Sequence, residues 1–147
     1  MDLTTAIALL ALVVSVISVC IARDSKRLSY DVQENQIIEQ LESKLETPLN
    51  RGIADLISQK KPVLVTNAGP IAVRDLEAYL NILEDVQIKV AKKNISISIL
   101  VENGFDEYVQ AVKENLEVHA YIQNIRQGNP GYYAGIDMLA DEFAKAK

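Results

Sequence analysis

"PVLVTNAGPIAVRDLEAYL", residues 62–80, decides between two folds. A short β-branched run stops at Asn67-Ala68-Gly69 and a helix-like segment follows, which is the order of a strand–turn–helix that cradles a phosphate. On that reading the body of the protein is α/β. On the other, residues 62–70 are a connector into a helix and the body is all-α. The rest of the chain favours the second.

Working outward, Ile71, Val73, Leu76, Tyr79, Leu80, Leu83, Val86 and Val90 mark one face of a long amphipathic helix that runs out at Lys92-Lys93-Asn94. Upstream, Thr47-Pro48 pairs an N-cap with a proline at the first helical position, and Leu49, Ile53, Leu56 and Ile57 give a short helix before Lys61-Pro62. Downstream, Ile95 to Val101 alternates as a strand would, so the α/β alternative needs short strands near 63–66 and 95–101. A serine-capped helix fits the same residues. Phe105, Tyr108, Val109, Val112 and Leu116 continue at steps of three and four, which favours the helix. Leu116, His119, Ala120, Ile122 and Ile125 predict a further helix ending near Gln127-Gly128, with His119 on its apolar face. Asn129-Pro130-Gly131 is a turn, and Tyr132, Ile136, Leu139, Ala140 and Phe143 mark a last helix with lysines in its final turn.

The N-terminus is different in kind. From Leu3 to Ala22 nothing is charged, and twenty residues of helix span about 30 Å, the thickness of a bilayer's hydrocarbon core. Met1-Asp2 lacks the basic start of a cleaved signal peptide, so residues 1–23 are expected to stay as a transmembrane anchor. Arg23, Lys26 and Arg27 follow at once, which orients the span with its N-terminus out and the body in the cytoplasm. Thr4, Ala8, Ala11, Ser15, Ser18 and Ala22 form a stripe of small residues on one face, suited to packing against a second copy or another membrane helix. Residues 24–46 carry Leu28, Val32, Ile38, Leu41 and Leu45 at mostly helical spacings and predict a juxtamembrane helix, leaving 47–147 as a helical cytoplasmic domain.

Composition narrows the functional classes. Fifteen basic against twenty acidic residues give a net charge of −5, the wrong sign for a protein that neutralises nucleic-acid phosphates. The single cysteine and single histidine cannot build an ordinary zinc site within one chain. Asn67-Ala68-Gly69 resembles the "NAG" element of short-chain dehydrogenases, but no glycine-rich loop accompanies it. No tyrosine has a lysine four residues on. The acid pairs Glu84-Asp85, Asp106-Glu107 and Asp141-Glu142 are adjacent, so on a helix their side chains diverge. No cofactor and no catalysis are expected. Arg126, at the edge of an apolar face before the Gly128–Gly131 turn, is the candidate contact residue, able to hold a carboxylate or a loop carbonyl with two donors.

"YLNILEDVQ" and "YIQNIRQGNPGYYAGIDMLADEF", with Tyr79-Leu80, Leu83-Glu84, Tyr121-Ile122, Arg126 and Tyr133, resemble an uncharacterised family of small bacterial membrane-anchored proteins. That resemblance covers roughly residues 70–145 and implies a small helical bundle on one span of the inner membrane. Together these observations predict a membrane-tethered interaction or regulatory module. An accessory subunit of a larger membrane complex is the second expectation, and a small-molecule or nucleotide-binding enzyme the third.

Overall fold

A computed structural model describes the backbone of residues 3–146 and the side chains of residues 12–146. Among them are seven α-helices: α1 (Leu3–Leu45), α2 (Pro48–Ser58), α3 (Val73–Ala91), α4 (Ile97–Glu102), α5 (Phe105–Glu114), α6 (Leu116–Gly128) and α7 (Ala134–Ala146). No strand forms among the described residues. Residues 63–66 run into a single 3-10 turn at Val65–Asn67, and 95–101 lead into α4, so the α/β alternative is excluded. The protein is all-α.

Internal contacts divide the chain into two units, Met1–Gln36 and Ile37–Lys147. In the first, the described apolar side chains of α1 between Leu12 and Ile21 are exposed, and Ser18 Oγ donates to the Val14 carbonyl at 2.8 Å. Among the described residues no helix is long and apolar enough to cross a membrane. The side chains of residues 1–11 lie outside the described set, and with them the first half of the expected anchor and Thr4, Ala8 and Ala11 of the small-residue stripe. Ser15, Ser18 and Ala22 are exposed.

The second unit holds the core. It takes in the last turns of α1, where Ile38, Leu41 and Leu45 are buried. Helix α3 supplies Leu76, Tyr79, Leu80, Leu83 and Val86 on one face and lies against α7, whose Ile136, Leu139 and Phe143 are buried in turn. Helix α5 packs on α2, α4, α6 and α7, so Phe105, Val109 and Val112 sit at the centre of the bundle.

Two breaks cut the long periodic run predicted from Ile95 to Leu116. At the first, Asn103 and Gly104 end α4; Gly104 has φ +74°, a conformation that costs residues with a side chain about 1–2 kcal/mol. The second is Asn115, whose Oδ1 accepts from the backbone N–H groups of Glu117 and Val118 and so starts α6. This cap sets the phase of α6. Val118 and Ile122 turn inward, whereas Leu116 is 85% exposed and His119 is exposed rather than on the apolar face.

Helices α2 and α3 end alike. The N–H of Lys61 reaches back to Leu56 O and that of Lys60 to Ile57 O, and Asn94 and Lys93 do the same to Lys89 O and Val90 O. Both are Schellman closures, with lysine instead of glycine in the left-handed position, φ +54° at Lys60 and +56° at Lys93. Relieving that conformation outweighs the extra freedom glycine gives the unfolded chain, so Lys93→Gly should stabilise the body by about 0.5–1 kcal/mol. Urea denaturation followed by circular dichroism measures this, and a midpoint that moves down would contradict it.

Candidate functional site

The connector of residues 62–70 is closed by its own backbone. Ile71 N–H donates to Val63 O at 2.9 Å, Val65 N–H to Ile71 O at 2.9 Å, and Gly69 N–H to Leu64 O at 2.8 Å. Leu64 and Ile71 thereby form one isolated parallel bridge. Gly69 is needed because a Cβ there would stand 2.3 Å from the Val63 carbonyl carbon and oxygen. The glycine serves a close approach of the chain to itself, and no phosphate is required to explain it.

One carboxylate from far along the chain fastens this loop. Glu117, in the first turn of α6, accepts the backbone N–H of Val63 at 2.6 Å and of Leu64 at 3.0 Å, and the Asn67 side-chain amide at 2.8 Å. Burial alone would raise its pKa, but the three donors outweigh it and hold the carboxyl below the usual glutamate value. The stability Glu117 contributes is thus present above its ordinary pKa and lost as pH falls through the lowered one. Two positions earlier, Asn115 is 2% exposed and donates its amide to Ile57 O at 3.2 Å while capping α6. The first turn of α6 therefore holds both the end of α2 and the connector beyond it. Lys60, Pro62, Asn67, Leu116 and Glu117 line a shallow cleft of about 380 Å³ at this joint.

Arg126 organises a second joint. Its Nε donates to Tyr132 O at 2.9 Å and Nη2 to Tyr133 O at 2.7 Å, while Nη1 lies 2.7 Å from Asp137 Oδ2. It thus holds both a carboxylate and loop carbonyls, as its position in the sequence suggests. All of these partners belong to this chain. The backbone they secure includes Tyr133, buried and left-handed at φ +54°. Burial, with Glu77 next, pushes the Tyr133 phenol up to about 12. Glu84 of α3 accepts the Ile136 N–H at 3.1 Å and closes the first turn of α7 from outside. Burial raises its pKa, against the opposing pull of the Ile136 and Gly135 backbone donors and of Arg126. A Cβ at Gly135 would stand 3.0 Å from both Glu84 oxygens, so a small residue lets the carboxylate approach.

Among the described residues no group of three or more His, Cys, Asp or Glu side chains is placed to hold a metal ion. Sequence reasoning missed Asn115 and Glu117. The signal for Asn115 was present as an N-cap residue before an apolar run, whereas the reach of Glu117 to Val63 depends on the tertiary fold. No family model, no curated protein and no solved structure matches this chain, so the likeness to small membrane-anchored proteins rests on the quoted residues alone.

Proposed function

We propose that the chain is a membrane-tethered interaction or regulatory module without catalysis of its own, anchored by residues 1–23 and carrying its helical body on the cytoplasmic side of a bacterial inner membrane. The observation that carries this reading is the run of exposed apolar side chains on α1: Leu12, Val13, Val14, Val16, Ile17, Val19 and Ile21 are each more than half exposed and no part of the described chain covers them. A contiguous apolar surface of that kind calls for lipid or a partner. Lipid is favoured because the uncharged sequence continues back to Leu3 and ends at Arg23, Lys26 and Arg27, the pattern of a span with its positive flank inside. The stripe through Ser15, Ser18 and Ala22 gives the span a face on which a second helix could pack closely.

The full chain should sediment with membranes and resist alkaline extraction. A reporter fused after Lys147 should be active only if it works in the cytoplasm. Release by alkali would overturn the anchor, and periplasmic activity of the fusion would overturn the orientation. Replacing residues 1–23 by an unrelated span separates this reading from the accessory-subunit one. A tethered module keeps its partner after the exchange, whereas a subunit that works through its span loses it.

A further inference from the structure

Arg23, Lys26, Arg27 and Tyr30 of α1 follow one another at steps of three, one and three, so at about 100° per residue they share one face of the helix. All four are exposed, and none of the three cations makes an ion pair among the described residues. Traced back toward the N-terminus, the same face continues as Leu12, Val16 and Val19, each more than half exposed. Ser15, Ser18 and Ala22 lie about a quarter turn round the helix, so a second helix packed on them leaves this face uncovered.

The depth of the face matches a leaflet. Leu12 to Arg23 is about 16 Å of helix, half the thickness of a hydrocarbon core. Lys26 and Arg27 stand about 4.5 and 6 Å beyond Arg23, within a headgroup layer of about 5–8 Å. Helical Cα–Cβ bonds tilt toward the N-terminus, which carries these side chains and that of Tyr30 back toward the same layer. The neighbouring acids sit elsewhere. Asp24 and Asp31 are about 90–110° round the helix from the centre of the face, and Glu34 returns to it only about 16 Å past Arg23.

We propose that this face binds an anionic phospholipid of the cytoplasmic leaflet, with Arg23, Lys26 and Arg27 on its phosphate and negative headgroup and an acyl chain along Leu12, Val16 and Val19. The inference rests on the anchor reading above. Guanidinium groups hold phosphate oxygens with two donors, and three unpaired cations in the headgroup layer favour a lipid of net negative charge. A zwitterionic lipid fills the apolar half of the face but brings no net charge to the cations. An acidic protein meets the cations and leaves the apolar half bare. Only a molecule with both parts uses the whole face.

The test reconstitutes the full chain in phosphatidylcholine vesicles that carry a trace of spin-labelled phosphatidylglycerol or, in parallel, spin-labelled phosphatidylcholine. Electron spin resonance then reads how much of each labelled lipid the protein restricts. Phosphatidylglycerol should be favoured by about fivefold or more, and Arg23→Gln, Lys26→Gln and Arg27→Gln together should bring the ratio to about one. A paired exchange separates this face from charge alone. Arg27→Ser with Ser25→Arg keeps three cations next to the span but takes one of them to the far side of the helix, and should lower the ratio by about twofold or more. A parent chain that does not float with the vesicles would overturn the anchor and this inference with it. A chain that floats but restricts both lipids equally, or an exchanged variant that keeps the full ratio, would overturn the lipid face and leave the anchor standing.

Discussion

Truncating Leu80 to alanine is expected to lower the unfolding free energy by about 2–5 kcal/mol, a large part of the roughly 5–15 kcal/mol that holds an ordinary domain together. Leu80 is 0% exposed near the middle of α3, between Leu76 and Leu83 on the face that meets the rest of the bundle. Removing its branched end takes away apolar transfer energy and leaves a cavity. Helix α3 cannot readily move in to fill it, because Glu84 ties the helix to the start of α7 and, two turns earlier along the same side, Glu77 accepts from Tyr121 Oη at 2.6 Å. By contrast Asn67→Ala removes one exposed amide from Glu117 and leaves the two backbone donors in place, a loss of about 0.5–1.5 kcal/mol. Urea unfolding of the two variants beside the parent chain measures both. A Leu80→Ala loss smaller than that of Asn67→Ala would mean that the connector, and not the α3 core, carries the fold.

The second large effect is expected at Asn115. Alanine there strips the N-cap from α6, worth about 0.5–2 kcal/mol, and removes one of the two donors to Ile57 O, which keeps the Lys60 N–H, worth about 0.5–1.5 kcal/mol more. The sum is roughly 1–3.5 kcal/mol. Asn115→Asp is the informative companion, since it retains an oxygen for the cap but has no amide to give Ile57. If aspartate restores most of what alanine loses, the cap is the dominant part. If it is as damaging as alanine, the link to α2 dominates. A loss below about 0.5 kcal/mol for alanine, read from the same denaturation curves, would show that the joint is incidental.

Helix content was legible because apolar spacing and capping agree. Thr47 accepts from Asn50 N–H just where the Thr-Pro pair predicts, and α3 buries Leu76, Tyr79, Leu80, Leu83 and Val86 as its period requires. The breaks were not legible in the same way. Steps of three and four carry straight across Asn103-Gly104, so periodicity reads one helix where a left-handed glycine starts another. At α6 the chain offers two apolar faces, one through Leu116 and one through Val118 and Ile122, and spacing cannot choose between them. The cap by Asn115 chooses, and it places Leu116 and His119 in solvent. The use of Arg126 was visible because the turn it holds follows within seven residues. Glu117 was hidden because its partners lie fifty or more residues away.

That separation bears on synthesis. Val63 N–H and Ile57 O each take a further partner on residues made 54 and 58 positions later, so a chain emerging from the ribosome carries the end of α2 and the connector unfastened to the bundle until the first turn of α6 has appeared. Each segment closes on its own backbone, but neither is held to the bundle before then. The bundle should therefore close in one late step, and a chain interrupted before Asn115 would retain helices but no finished body.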